Sequence, residues 1–152
     1  CSCGKKGCLE VEASLSAAVE FAEEKLQSGE KSKLANHLTN DRLESSNSLI
    51  QSALNGDQLA ISALTKSGYM LGKGVATLIH IMNPEKIILS GRGSQAGQIL
   101  MPQIQTAINE FCIPRIAQKT SVEISDLKNK AQLIGSACIV LEYSLSKFVN
   151  LN

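Results

Sequence analysis

Leu15, Val19, Ala22 and Leu26 fall at alternating four- and three-residue steps, and Gly29 stands where such a stripe would stop. The spacing predicts a helix running from Leu9 that buries one face. Residues 30–46 are polar and weakly periodic, predicting a short helix and then a loop, whereas residues 47–54 read as helical and Asn55-Gly56 ends them. Asp57 can cap a long helix through Leu59, Ile61, Leu64, Leu71, Val75, Leu78 and Ile81 to Met82, where Asn83-Pro84 stops it. Gly68 and Gly72 share a face of that helix and permit a close crossing.

After the long helix, Lys86-Ile87-Ile88-Leu89 is a short β-branched run between Pro84 and the glycines at 91, 93 and 97, and it reads as a buried parallel strand entering a turn. A helix carrying Ile99, Leu100, Ile104, Ile108 and Phe111 follows and ends near Pro114. Residues 121–125 alternate like a second strand, and a last helix covers 130–148. Strand, helix, strand is one crossover and hence the core of a parallel sheet. Two strands with this much helix imply an α/β chain that is helix-rich, with a short parallel sheet belonging to a larger fold.

The 152 residues suit one domain, with 43% hydrophobic and 19% charged positions. Fifteen Lys and Arg against fourteen Asp and Glu leave a formal charge of +1, which lacks the basic excess of an autonomous nucleic-acid module. No apolar run approaches the roughly 20 residues that span a bilayer, and no signal-peptide core opens the chain. A cytoplasmic protein is expected, in which five cysteines are thiols or metal ligands rather than disulfides.

Three of those cysteines crowd into the first eight residues. Cys1, Cys3 and Cys8 put soft donors on a tight loop whose Gly4 and Gly7 can turn the sulfurs toward one point, and zinc is the natural guest. A structural zinc site takes four ligands in a tetrahedron, so one more is required. His80 lies in an apolar stretch and reads as a satisfied core or interface histidine, and His37, in a polar stretch, as solvated. Cys112 and Cys138 sit among apolar residues and read as inert buried thiols. Free thiols are the plainer alternative for the loop cysteines.

Gly91, Arg92, Gly93 and Gly97 form a strand-to-helix turn where backbone N–H groups could meet a phosphate or adenine, or which could simply be a tight connection. The spacing misses the dinucleotide fingerprint, and no P-loop motif is present. Glu10, Glu12, Glu20, Glu23 and Glu24 read as a solvated face. No nucleophile has an evident base, so the segment alone encodes no catalysis.

The run Cys1-Ser-Cys-Gly-Lys-Lys-Gly-Cys-Leu-Glu10 closely resembles the C-x-C-G-x-x-G-C-L-E signature of the ROK family of repressors, open reading frames and sugar kinases. Asn83-Pro84-Glu85-Lys86-Ile87-Ile88-Leu89-Ser90-Gly91, then Ala96-Gly97 and Ile99-Leu100-Met101-Pro102, look like that family's nucleotide-side strand and turn. The resemblance implies the C-terminal half of an actin-like, ribonuclease-H-like fold over residues 1–152. It further implies a structural zinc on Cys1, Cys3 and Cys8, with a histidine from an upstream E-x-G-H segment as fourth ligand. The phosphate motif, the catalytic aspartate and any helix-turn-helix domain of the family would likewise lie upstream.

Kinases of the family carry a glycine run after the strand, where this chain has Ser90, Gly91 and Arg92. Side chains there crowd the close approach that a nucleotide needs. The departure favours a sugar-responsive transcriptional regulator, with a sugar kinase using ATP as the alternative. The resemblance also implies a homo-oligomer, a sugar effector or substrate, no membrane, and DNA contact only through an upstream domain.

Overall fold

Helix α4 (Gln58–Met82) is the axis against which most other elements pack. This computed structural model describes residues 1 and 3–149, with side-chain surroundings given as far as residue 144. Ahead of α4 come α1 (Leu9–Ala13), α2 (Leu15–Gln27), a 3-10 turn (Lys33–His37) and α3 (Arg42–Leu54). After it come β1 (Lys86–Leu89), a 3-10 turn (Arg92–Ala96), α5 (Gly97–Phe111), α6 (Pro114–Ala117), β2 (Ser121–Ile124), a 3-10 turn (Lys128–Lys130) and α7 (Ala131–Val149).

The core runs along both sides of α4. Val19, Leu34, Leu49, Ile50, Leu64, Ile79 and Ile104 are essentially inaccessible to solvent, and each such side chain contributes about 1.5–3 kcal/mol by leaving water. The glycine face expected on α4 is where α5 crosses. A Cβ at Gly72 would stand 2.7 Å from Ala107 Cβ and 2.8 Å from Ile104 Cα, a separation that only a hydrogen allows. Gly74 does the same for α1, because a Cβ there would meet Leu9 Cδ2 at 2.7 Å.

Strands β1 and β2 pair in parallel with Lys86 opposite Ser121 and Leu89 opposite Ile124, and α5 and α6 make the crossover. Ile87, Leu89 and Val122 pack on the core, while Ile88 is exposed on the other face. The expected strands and crossover are therefore present at the expected positions, but β1 is not the buried strand its apolar run suggested, because only the Ile87 and Leu89 face is covered and Ile88 is exposed.

Four other expectations need correction. The single helix from Leu9 is two, because Ser14 sits in an extended conformation (ψ 161°) and its Oγ accepts the Ala17 N–H at 3.1 Å, starting α2 afresh. Helix α3 begins at Arg42 rather than at 47, because Asp41 Oδ1 accepts the N–H of Leu43 at 2.7 Å and caps it. His80 is exposed on the last turns of α4, where Nε2 accepts the Ile113 N–H at 3.2 Å, so it is satisfied but not buried. Cys112 is buried as expected, but Cys138 is exposed. It lies on α7, whose Leu133, Ile139 and Val140 are 76%, 68% and 63% exposed and which packs chiefly against the turn that leads into it.

Candidate functional site

The described residues ahead of Leu9 form no helix or strand, and two glycines shape them. Gly4 (φ +73°) and Gly7 (φ +80°) occupy the left-handed region that side chains disfavour, and the Gly4 N–H donates to the Cys1 carbonyl at 3.0 Å to close a turn. The loop ends at Cys8, the residue before α1, whose carbonyl accepts the N–H groups of Val11 and Glu12. The cysteine cluster is thus joined to α1, which rests on α4 through Leu9 and Gly74.

The folded loop brings the sulfurs of Cys1, Cys3 and Cys8 within 4.8 Å of one another. Cys3 Sγ and Cys8 Sγ are 3.2 Å apart. Tetrahedral zinc with Zn–S bonds of about 2.3 Å would hold its sulfurs roughly 3.8 Å apart, between these two values. Three soft sulfur donors at this separation fit a zinc ion, and they are the only such group among the described residues. Neither His37 nor His80 joins them, and His37 is exposed on its 3-10 turn as expected.

The two close sulfurs share a proton unequally. The backbone N–H of Lys5 holds the Cys3 thiol below its ordinary range, helped by the Cys8 thiol, which donates to it. Cys8 is pushed up for the complementary reason, as the donor, and by partial burial. A metal that needs thiolates therefore finds Cys3 the readier of the two to ionise.

The second candidate group divides. Gly91 has φ +90° and ψ −173°, a conformation nearly restricted to glycine. Its N–H donates to the Lys128 carbonyl at 3.1 Å and its carbonyl accepts the buried Ser94 hydroxyl at 2.6 Å. Gly91, Arg92 and Gly93 line an open groove of about 560 Å³ together with Ser14, Arg42 and Ser46. Gly97 is buried elsewhere: a Cβ on it would stand 3.0 Å from Ile124 Cγ1, so its small size serves the contact between α5 and β2. The Arg92 side chain is exposed at the groove and has no ion pair among the described residues.

Arg42 across the groove is held by Glu23 at 2.9 Å and Glu20 at 3.7 Å. Two of the carboxylates expected to be solvated are thus engaged in surface pairs, each worth a fraction of a kcal/mol. Sequence reasoning missed Ser14, Arg42, Ser46, Asn129 and Gln132 as groove residues. They come from segments far apart in the chain and carry no shared spacing. The Asp41-x-x-Glu44 helix-start pattern was the one available sign that Arg42 opens a helix.

The profile described as ROK family matches residues 1–143. The chain is 35% identical over 140 residues to the DNA-binding transcriptional repressor Mlc of Escherichia coli, covering 91% of this chain and 33% of that protein. It is 32% identical over 140 residues to a glucokinase of Halalkalibacterium halodurans, covering 92% of this chain and 42% of that enzyme. It therefore spans less than half the length of these curated relatives.

Among solved structures, a ROK family transcriptional regulator described as a homologue of the E. coli MLC protein superposes with a TM-score of 0.73 at 34% identity, covering 82% of this chain and 30% of that one. A ROK family glucokinase from Streptomyces griseus, in complex with glucose and AMPPNP, superposes with a TM-score of 0.74 at 23% identity, covering 91% and 46%. These neighbours have the actin-like ATPase fold, and the helix-rich chain with its short parallel sheet is of that class. No described helix is long and apolar enough to cross a membrane.

Proposed function

The chain belongs to the ROK family, and from that premise we propose that it is the C-terminal part of the effector-sensing and oligomerisation domain of a sugar-responsive transcriptional regulator. The observation that carries this reading is Arg92. In kinases of the family a glycine run follows the strand and lets a nucleotide approach the backbone. Here Gly91 has a glycine-specific conformation, and the next residue puts a guanidinium at the groove. The 35% identity to a repressor and the 34% identity to a regulator of known structure support the same choice.

In this reading Cys1, Cys3 and Cys8 hold a structural zinc, completed by a histidine upstream of Cys1. When bound, the ion would tie the cysteine loop to the upstream segment that supplies the histidine and favour one arrangement of the two. Cys8 leads directly into α1, so a change at the loop is felt by α1 and by α4 beneath it. A sugar bound by the upstream residues would shift the domain arrangement, and an upstream helix-turn-helix domain would carry the DNA contact. The assembled regulator would be a cytoplasmic homo-oligomer.

The alternative is the C-terminal lobe of an ATP-dependent sugar kinase, favoured by the 32% identity to a glucokinase. ATP would then lean on Gly91, Arg92, Gly93 and, through α5, Gly97, with the catalytic base upstream. A gel-shift measurement with the full-length protein and the DNA flanking its own gene separates the two. Binding that a hexose or amino sugar relieves or strengthens at least tenfold supports the regulator. No DNA binding at all, with sugar-dependent ATP consumption, supports the kinase.

A further inference from the structure

The cysteine loop brings two thiols closer than metal binding alone requires. Cys3 and Cys8 sulfurs are 3.2 Å apart, inside the roughly 3.8 Å expected between thiolates on one zinc ion. Cys3 is exposed and Cys8 is half-buried. Four residues separate them, including Gly4 and Gly7, neither of which has a protein atom closer than 4.0 Å to the position a Cβ would take, so the loop has room to adjust. Cys1 and Cys3, by contrast, are separated by a single residue and are tied into the turn that Gly4 N–H closes on the Cys1 carbonyl.

We propose that Cys3 and Cys8 form a redox-responsive pair, which a peroxide closes to an intramolecular disulfide and so removes two of the three sulfur donors of the metal loop. In the first step the exposed Cys3 sulfur attacks a peroxide oxygen, the O–O bond breaks, and Cys3 becomes a sulfenic acid as one water or alcohol leaves. The Cys8 sulfur then attacks the Cys3 sulfur, the S–O bond breaks, and the hydroxyl departs as water with the Cys8 proton. Two thiols lose two electrons in all, and one peroxide is reduced to two hydroxyl products. A disulfide sulfur is no longer a thiolate, and Cys1 with the one upstream histidine leaves zinc only two of the four ligands a structural site takes. The loop geometry that feeds α1 through the Cys8 carbonyl would change with it.

This inference rests on the metal reading only in its consequence; the pairing of Cys3 with Cys8 stands on their separation and accessibility. The full-length protein, reduced and saturated with zinc, is exposed to hydrogen peroxide while a chromophoric chelator follows zinc release. A parallel sample stripped of zinc is treated in the same way. Trypsin cleaves at Lys5 and Lys6, between the two cysteines, so a disulfide appears as two joined peptides in mass spectrometry.

The expected result is a Cys3–Cys8 link in both samples, reversed by dithiothreitol, with zinc released in step in the loaded one. Cys8→Ser should lose the link, and Cys1→Ser should keep it. Separate sulfinic acids on Cys3 and Cys8, a Cys1–Cys3 link, or a link only between chains would each overturn the pairing. Absence of zinc from the reduced protein would overturn the metal reading instead, while the zinc-free sample still decides the pairing.

Discussion

Gly72 shows how much one hydrogen decides. A methyl there would meet Ala107 Cβ at 2.7 Å and the Ile104 backbone at 2.8 Å, and neither partner can turn aside. Gly72→Ala should cost about 1–3 kcal/mol, the range for overpacking, and lower the denaturation midpoint accordingly. Gly135→Ala is the matched control. Nothing lies within 4 Å of its would-be Cβ on α7, so it should be neutral or gain up to about 1 kcal/mol in helix propensity.

Asp57 gives the pH dependence. Partial burial by itself would raise its carboxyl, but the Ser32 hydroxyl and the backbone N–H groups of Ala60, Leu34 and Leu59 outweigh it and hold the carboxyl below its ordinary value. A depressed carboxyl contributes stability that is fully present above the unfolded value near 3.9 and is lost as pH falls through the folded one. Asp57→Ala should therefore lower stability at neutral pH by about 0.5–2 kcal/mol, the worth of a cap. Thermal melts across the acid range should show the gap between variant and parent closing below about pH 4.

Among the elements, the junction of α1 and α2 depends on a contact distant in sequence. The buried Ser67 of α4 donates from Oγ to the Ala13 carbonyl at 2.7 Å, just where α1 ends. Ser67→Ala should cost about 1–3 kcal/mol by leaving that carbonyl without its partner. Thr106→Ala, which loses only an exposed bond within α5, should change the melting free energy by less than about 0.5 kcal/mol.

The same junction marks where sequence patterning stops being informative. The apolar spacing from Leu15 to Leu26 identifies a helix, and Asp57, Pro84 and the run 86–89 set the bounds of α4 and β1 closely. Ser14 lies among residues of helical spacing, and only its hydrogen bond to Ala17 reveals a cap. Of the candidate site, the cysteine loop is legible because its residues are neighbours in sequence. The groove is not, because Ser14, Arg42 and Gly91 meet only through the packing of three elements. Cys138 was misjudged for the related reason that an apolar sequence context does not say whether anything covers it.

On the scale of the whole molecule, α7 leaves a broad apolar surface. Leu133, Ile134, Ile139, Val140, Leu141 and Tyr143 are all exposed along one helix, and large exposed apolar surface of this kind favours association. Residues 1–152 expressed alone should therefore self-associate in light scattering, and Leu133→Glu with Val140→Glu should shift the population toward monomer. A monomeric parent fragment would contradict that expectation.

The regulator and kinase readings diverge most sharply in how the full-length protein treats nucleotide. Isothermal titration with AMPPNP, carried out with and without a panel of hexoses and amino sugars, tests this directly. A sensor with Arg92 at the groove should bind a sugar while showing no heat from the nucleotide in either condition. Sugar-dependent nucleotide binding would contradict it, and would mean that the groove accommodates ATP with Arg92 in place.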